Sequence, residues 1–221
     1  MLKSLLAGAA VAGALLFSAG VVHAGPALAN GDTVYVTSDS HSGATATINF
    51  AGLPGGGSLD VYSGPEFISG TFTGKTSGVF ANFMVYCTDL YNYFNVPSTY
   101  TVGPLTSSHQ PSGNADLTTA QLNNIGELLA AHHSDQSATQ LAIWSEEYGS
   151  AFSYSGTDQA TLTDVNAYLA ALTGKSVTEV RELQGSGQQG MSYDAPEPAT
   201  IALFGAGLLG LFIARRQMLR H

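Results

Sequence analysis

Short runs of β-branched and aromatic residues follow one another between residues 33 and 86. They occupy residues 33–37, 44–50, 59–62, 66–72 and 79–86. Glycine-containing turns lie between several of them, at 52–57, 63–65 and 74–78. Runs of this kind, bounded by turns, are typical of short strands. They predict a small β-sandwich or barrel over about residues 30–103, with 100–102 as an added edge strand.

The hydrophobic period lengthens to that of a helix after residue 116. In the first helix leucine and isoleucine recur at 117, 122, 125, 128 and 129. Thr118, with Gln121 three residues later, predicts a capping box at its start. A second helix is predicted to begin at Ser134 or Ser137 and to end at Tyr148.

A third helix carries four apolar residues on one face, followed by Gly174 as a C-terminal stop. Those four are Val165, Tyr168, Leu169 and Leu172. The predicted fold class is therefore α+β, with a helical portion of about three helices over residues 116–173. The domain is expected to span residues 30–183, and the polar residues 184–195 are predicted to form a flexible linker.

The N-terminal segment has the layout of a secretory signal peptide. Lys3 is its only early charge, an apolar run covers residues 5–22, and small residues follow at Ala24 and Ala29. The sequence predicts a signal helix over 1–24, with cleavage after Ala24 or after Ala29.

Residues 196–221 have three parts in a fixed order. They are the tripeptide Pro196-Glu197-Pro198, an uncharged stretch at 199–214, and an arginine cluster of Arg215, Arg216 and Arg220. A helix of sixteen residues is about 24 Å long, which is short for a hydrocarbon layer about 30 Å thick. The arginines would hold that end in the cytoplasm. A plain C-terminal membrane anchor would also fit such a segment.

This tail resembles the PEP-CTERM sorting signal of bacteria with an outer membrane, through the Pro-Glu-Pro motif, the short helix and Arg215 with Arg216. The resemblance implies an exosortase as partner and an intermediate held in the inner membrane by the short helix. It also implies export to the cell surface or to the exopolysaccharide matrix of the biofilm, where the domain is either anchored anew or set free.

The net charge excludes one class of partner, and the cysteine content limits the chemical states that the single thiol can have. Residues 25–195 contain fifteen acidic and three basic side chains, a net charge of −12. A surface so acidic repels phosphate backbones, which argues against nucleic acid as a partner. Cys87 is the single cysteine. In an exported protein such a residue is a free thiol, an intermolecular link or a chemically masked group.

Gln140 is the residue that packing could bring to Cys87. It lies beside a helical stripe of Leu141, Trp144 and Tyr148, which must face a core. Cys87 ends an apolar run of predicted strand. A glutamine beside a core helix can therefore be packed against that sulfur.

The strings Tyr86-Cys87-Thr88-Asp89 and Thr139-Gln140-Leu141-Ala142-Ile143-Trp144 together resemble the internal-thioester domain of bacterial surface adhesins, over roughly residues 80–150. The resemblance implies a bond from the cysteine sulfur to the glutamine side-chain carbonyl, in a fold that mixes a β-barrel or sandwich with helices. Here the bond would join Cys87 to Gln140. Tyr86, Asp89 and Thr139 are the candidates to support its formation, and Trp144 would help to exclude water.

Two other interpretations fit the sequence. Cys87 could be a small buried hydrophobe and Gln140 a solvated helix residue. His132, His133 and Asp135 could bind a metal, although adjacent helical histidines point apart, which favours contact with the helix C-terminus. The glycine run at 55–57 lacks the context of a phosphate loop, and no nucleophile motif of a hydrolase is present.

The sequence therefore predicts an exported surface or matrix protein, without a cofactor or metal, that bonds covalently to an amine or hydroxyl through a Cys87–Gln140 thioester. Its target would be an exopolysaccharide or a surface protein. Such attachment is single-use and not enzymatic turnover. The alternative is a non-reactive structural or carbohydrate-associated matrix protein sorted by the same tail.

Overall fold

The structure is a computed structural model, and it describes residues 26–50, 57–75, 77–106, 117–177, 180–187 and 189–195. The predicted signal helix and the sorting tail at 196–221 lie outside these residues. Within the described ranges, no helix has the length and hydrophobicity needed to cross a membrane.

Six antiparallel strands form a closed barrel. In chain order they are β1 (Thr33–His41), β4 (Glu66–Thr73), β5 (Ser77–Cys87), β6 (Ser98–Pro104), β8 (Val180–Gln184) and β9 (Met191–Asp194). Around the barrel their order is β1, β4, β5, β9, β8, β6, and β6 closes it against β1. Alternate residues of these strands point inward because the side-chain period of a strand is two. The barrel core therefore contains Val34, Val36, Ile68, Val85, Leu183 and Met191.

A second antiparallel sheet and three helices form the rest of the described part of the domain. The sheet has the order β3 (Ser58–Tyr62), β2 (Thr45–Phe50), β7 (Phe152–Ser155). The helices are α1 (Thr119–Ala130), α2 (Gln136–Tyr148) and α3 (Gln159–Ala171), with a 3₁₀ turn at Gly149–Ala151. A second core contains Ile48, Phe50, Ile125, Leu128, Leu141, Ile143 and Trp144, together with Tyr86 and Cys87 from the end of β5.

The structure confirms the predicted class, an α+β fold with a small barrel and three helices. The five predicted strands are all present, although two of them, β2 and β3, belong to the second sheet. The capping box is also present: the Gln121 N–H donates to the Thr118 hydroxyl at 3.3 Å, and the Thr118 N–H donates to the Gln121 side chain at 3.0 Å.

Several local predictions are wrong. The stretch predicted as an edge strand at 100–102 is part of β6, which has a partner on each side, β1 and β8. The N-cap of α2 is Asp135, and not Ser134 or Ser137, because the Asp135 carboxylate accepts the Ala138 N–H at 2.9 Å. Gly174 does not stop α3 directly, since the helix ends at Ala171 with Leu172 in an extended conformation.

The predicted linker at 184–195 is the largest correction. Met191–Asp194 form β9, which pairs with β5 on one side and β8 on the other. Met191 and Tyr193 are 0% and 2% exposed. The barrel therefore depends on this segment for closure, and its last strand ends immediately before the Pro-Glu-Pro motif.

Residues just after the predicted signal peptide also pack on the barrel. Leu28 is buried in the barrel core, and the Gly31 N–H donates to the Val102 carbonyl at 2.8 Å. Cleavage after Ala24 would leave this segment in place, whereas cleavage after Ala29 would remove Leu28.

Candidate functional site

Cys87 is the last residue of β5, and at this end, among the residues that the structure describes, the strand has a paired neighbour on one side only. β9 pairs with this end of β5 through Tyr86 with Ser192 and Cys87 with Met191. On the opposite side β4 begins at Glu66, which lies opposite Val85. β4 therefore does not extend far enough to pair with Cys87.

The side chain of Gln140 takes the place of the missing strand. The Cys87 N–H donates to Gln140 Oε1 at 2.9 Å, and Gln140 Nε2 donates to the Cys87 carbonyl at 2.8 Å. Gln140 is 0% exposed and Cys87 6% exposed. A buried backbone N–H and C=O must be hydrogen-bonded, and the amide satisfies both at once. The structure thus places the two residues of the predicted bond side by side.

Contacts at the start of α2 hold Gln140 in position. The Asp135 carboxylate caps the helix and also accepts the Thr161 hydroxyl of α3 at 3.0 Å. The Ser137 hydroxyl accepts the Ala44 N–H at 3.1 Å, which ties the helix to the segment before β2. Gly43 makes that approach possible, because a Cβ there would lie 2.8 Å from the Ser137 hydroxyl oxygen.

The predicted supporting residues occupy different positions. Tyr86 is buried, its hydroxyl hydrogen-bonds to Thr139, and burial raises the pKa of Tyr86 to about 12. Asp89 is 0% exposed, and its carboxylate accepts the Tyr91 N–H at 2.7 Å and the Asn92 amide at 2.6 Å. Tyr86, Thr139 and Asp89 thus have partners of their own near the pair.

Trp144 is a core residue. It is 2% exposed, and its ring meets the ring of Phe152 edge-on, with 6.2 Å between the ring centroids.

The thiol of Cys87 is in a setting that disfavours its ionised form. Burial raises the pKa of Cys87 well above its ordinary value, and the nearby charges of Glu66, Asp89 and Glu147 raise it further. A buried thiol surrounded by carboxylates stays protonated at neutral pH. Any reaction of its sulfur therefore requires a base that removes the proton.

Glu147 is a buried carboxyl that sequence reasoning missed. It is 5% exposed, and its Oε2 has no hydrogen-bond partner in the described part of the chain. Burial raises the pKa of Glu147 well above its ordinary value, despite a hydrogen bond with Tyr148, and the charges of Asp89 and Glu182 act in the same direction. Burial therefore favours the protonated form of Glu147.

Glu66 and His41 form a second group that the sequence did not indicate. Glu66 Oε2 lies 2.8 Å from His41 Nδ1, and Asp39 Oδ2 lies 3.8 Å from the same nitrogen. The ring of Tyr62 stacks on that of His41, with 4.8 Å between centroids. Strand pairing brings these residues together across 25 positions of sequence, and no local pattern marks them.

The three residues considered for a metal point in separate directions. His132 Nε2 pairs with Asp194 at 2.9 Å, and the ring of His133 stacks on Tyr168 at 3.7 Å. Asp135 is the cap of α2. Each has a structural partner of its own, and they share no common centre.

Comparison with known proteins identifies the tail. The family model described as the PEP-CTERM protein-sorting motif matches residues 194–217. This motif implies export via the membrane to the cell surface and processing by an exosortase, which is a membrane sorting enzyme. The match begins at Asp194, the last residue of β9. No curated protein and no solved structure matches the chain.

Proposed function

We propose that the exported domain forms an internal thioester between Cys87 and Gln140 and uses it to bond covalently to a partner outside the cell. The observation that carries this proposal is the pair of hydrogen bonds between the Gln140 amide and the Cys87 backbone, at 2.9 and 2.8 Å. These bonds hold the side-chain carbonyl carbon beside the residue that bears the sulfur. Such positioning supplies an effective molarity of about 10⁵ M or more.

The hydrogen bonds also suit the chemistry of bond formation. Cys87 Sγ attacks Gln140 Cδ, and negative charge develops on Oε1, which already accepts the Cys87 N–H. A donor fixed at this oxygen acts as an oxyanion hole acts in acyl transfer. The Cδ–Nε2 bond then breaks, and nitrogen leaves as ammonia with the proton that came from the thiol.

The thioester would be an activated acyl group on Gln140. An amine or hydroxyl attacks Cδ, the C–S bond breaks, and the sulfur regains a proton. The product is an amide or ester between Gln140 and the partner. Because Gln140 is fully buried, the bond is shielded from water until the surrounding segments open.

The sorting tail indicates where this attachment would occur. We place it at the cell surface or in the exopolysaccharide matrix of an outer-membrane-bearing bacterium, with a polysaccharide hydroxyl or a surface-protein amine as target. The protein would react once and is not an enzyme.

Intact mass of the exported protein tests the proposal. Bond formation lowers the mass by one ammonia and blocks alkylation of Cys87, and methylamine then adds at Gln140. Cys87→Ala and Gln140→Ala should each abolish both the loss of ammonia and the addition of methylamine. Gln159→Ala, at an exposed glutamine that begins α3, should retain both. Full mass together with ready alkylation of the native thiol would rule the bond out.

A second candidate is a non-reactive structural protein of the same matrix. The observation that favours it is the same contact, since an amide that satisfies two buried backbone groups has a structural role without any covalent bond. The raised pKa of the thiol is also what an inert buried cysteine has. The mass measurement separates the two candidates.

A further inference from the structure

The register of the barrel strands places Glu66 on the same face as the side chain of Cys87. Glu66 lies opposite Val85, and directly opposed residues of antiparallel strands project on the same face. Cys87 is two residues beyond Val85, at the end of β5 where the barrel meets the second core, and strand alternation turns its side chain toward the face of Val85. Glu66 and Cys87 are then diagonal neighbours, which lie about 7–8 Å apart and within reach of a long side chain.

His41 connects this carboxylate with solvent. It lies opposite Glu66 on β1, and its Nδ1 is 2.8 Å from Glu66 Oε2. The side chain of His41 is 43% exposed and that of Glu66 12% exposed. The pair thus extends from the solvent to the buried end of β5.

The other acids near Cys87 are less suited to carry a proton. The carboxylate of Asp89 is held by the Tyr91 N–H and the Asn92 amide. Glu147 is 5% exposed, and its Oε2 has no hydrogen-bond partner in the described residues through which a proton could pass to solvent. Among the charges that act on Cys87, that of Glu66 has the largest effect.

We propose that Glu66, positioned by His41, is the acid–base group of the Cys87–Gln140 thioester. This inference rests on the proposed function. During thioester formation Glu66 accepts the proton of the Cys87 thiol as the S–C bond forms, and it returns this proton to Gln140 Nε2 as the C–N bond breaks. When an amine or hydroxyl opens the thioester, its proton reaches the departing sulfur through the same carboxyl.

His41 acts through Glu66 and is a positioning residue. Its Nδ1 lies between Glu66 and Asp39, and its ring stacks on Tyr62, so these three groups define its surroundings. The contact between His41 Nδ1 and Glu66 Oε2 orients the Glu66 oxygens.

The rate at which methylamine opens the thioester in the exported protein tests the assignment. This rate is measured by intact mass between pH 6 and pH 9. General acid–base groups contribute about 10²–10⁴-fold, so Glu66→Gln should slow opening about a hundredfold and flatten its pH dependence. Glu66→Asp should restore part of the rate. Asp60→Asn, at an exposed acid that bonds to Thr47 on the second sheet, should leave the rate unchanged.

A purely electrostatic role for Glu66 predicts the opposite sign. Removal of its charge would lower the pKa of Cys87, make the sulfur a better leaving group and speed the opening. A Glu66→Gln rate equal to or above that of the wild type, in a protein with unchanged circular dichroism, therefore overturns the assignment and leaves the thioester intact.

His41→Asn provides the second variant, at an exposed position where folding is less at risk. It should slow opening about tenfold and shift the pH dependence, and an unchanged pH profile contradicts the assignment. If the wild-type protein shows no loss of ammonia, both this inference and the proposed function fail.

Discussion

Gln140 completes the edge of β5 at Cys87, where its side-chain amide makes the two hydrogen bonds that β4 would make if it began two residues earlier. The contact joins α2 to the barrel across 53 positions of sequence. It makes Gln140 important for stability whether or not a covalent bond forms.

Gln140→Ala should lower the free energy of unfolding by about 2–6 kcal/mol. The substitution leaves a buried N–H and a buried C=O of Cys87 without partners, at about 1–3 kcal/mol each. Urea unfolding of the Cys87→Ala protein, with and without the Gln140 substitution, measures this effect in the absence of a thioester. Gln159→Ala, at the exposed start of α3, should change stability by less than about 0.5 kcal/mol, and equal effects at the two positions would contradict the interpretation.

Glu147→Gln should flatten the dependence of stability on pH. The pKa of Glu147 is raised in the folded protein, so above the ordinary value of 4.5 the folded state keeps a proton that the unfolded chain has released. Stability therefore falls as pH rises through this window. Glutamine removes the titration, so the urea midpoint of the variant should decline less between pH 5 and pH 7.

Glu127 provides a control of opposite sign. Hydrogen bonds from Thr173 and Lys175 lower its pKa in the folded protein. Its stabilising effect is present above the ordinary value of 4.5 and is lost as pH falls. Glu127→Gln should therefore reduce stability at pH 7 more than at pH 4, and a fall of the same size at both values would show that its charge has no role.

Gly43→Ala should destabilise the protein far more than Gly31→Ala. Both glycines have positive φ, +102° and +89°, so both substitutions carry the left-handed cost of about 1–2 kcal/mol. Only at Gly43 would the added Cβ meet other atoms, at 2.7 Å from Gly64 Cα and 2.8 Å from the Ser137 hydroxyl. The difference in thermal midpoint isolates the steric contribution, and similar midpoints would show that the segment yields easily.

A chain that ends at residue 195 should fold, whereas one that ends at residue 189 should not. The shorter chain lacks β9 and with it the buried side chains of Met191 and Tyr193. Burial of each contributes about 1.5–3 kcal/mol, a large share of a typical total of about 5–15 kcal/mol. Near-ultraviolet circular dichroism and urea unfolding compare the two, and cooperative unfolding of the shorter chain at the same midpoint would contradict the role of β9.

Sequence reasoning found the strands that are rich in β-branched and aromatic residues, and it missed β7, β8 and β9. β8 and β9 are short, and each has a buried polar residue, Glu182 and Ser192. Both contact the Thr88 hydroxyl, at 3.3 and 3.2 Å. These polar side chains can be buried because they hydrogen-bond to one another inside the fold. The two strands therefore contain polar residues at buried positions, and their sequences do not look like those of core strands.

The candidate site was predictable in part. Cys87 and Gln140 were selected through the strings around them, and helical periodicity places the stripe of Leu141, Trp144 and Tyr148 correctly in the core. The hydrogen bonds of the Gln140 amide to the Cys87 backbone depend on where β4 begins, and the hydrophobic pattern of the sequence does not indicate this position. The position of Glu66 beside Cys87 depends on strand register in the same way.

The location of β9 has a consequence for the timing of secretion. A chain that enters the export channel signal first delivers residues 191–194 after every other strand of the barrel. Until they arrive, β5 and β8 each have an unpaired edge, which is a surface prone to aggregation. The domain would therefore complete its folding only in the last moments of translocation, and a sorting enzyme that reads the motif after β9 would meet a barrel that has only just closed.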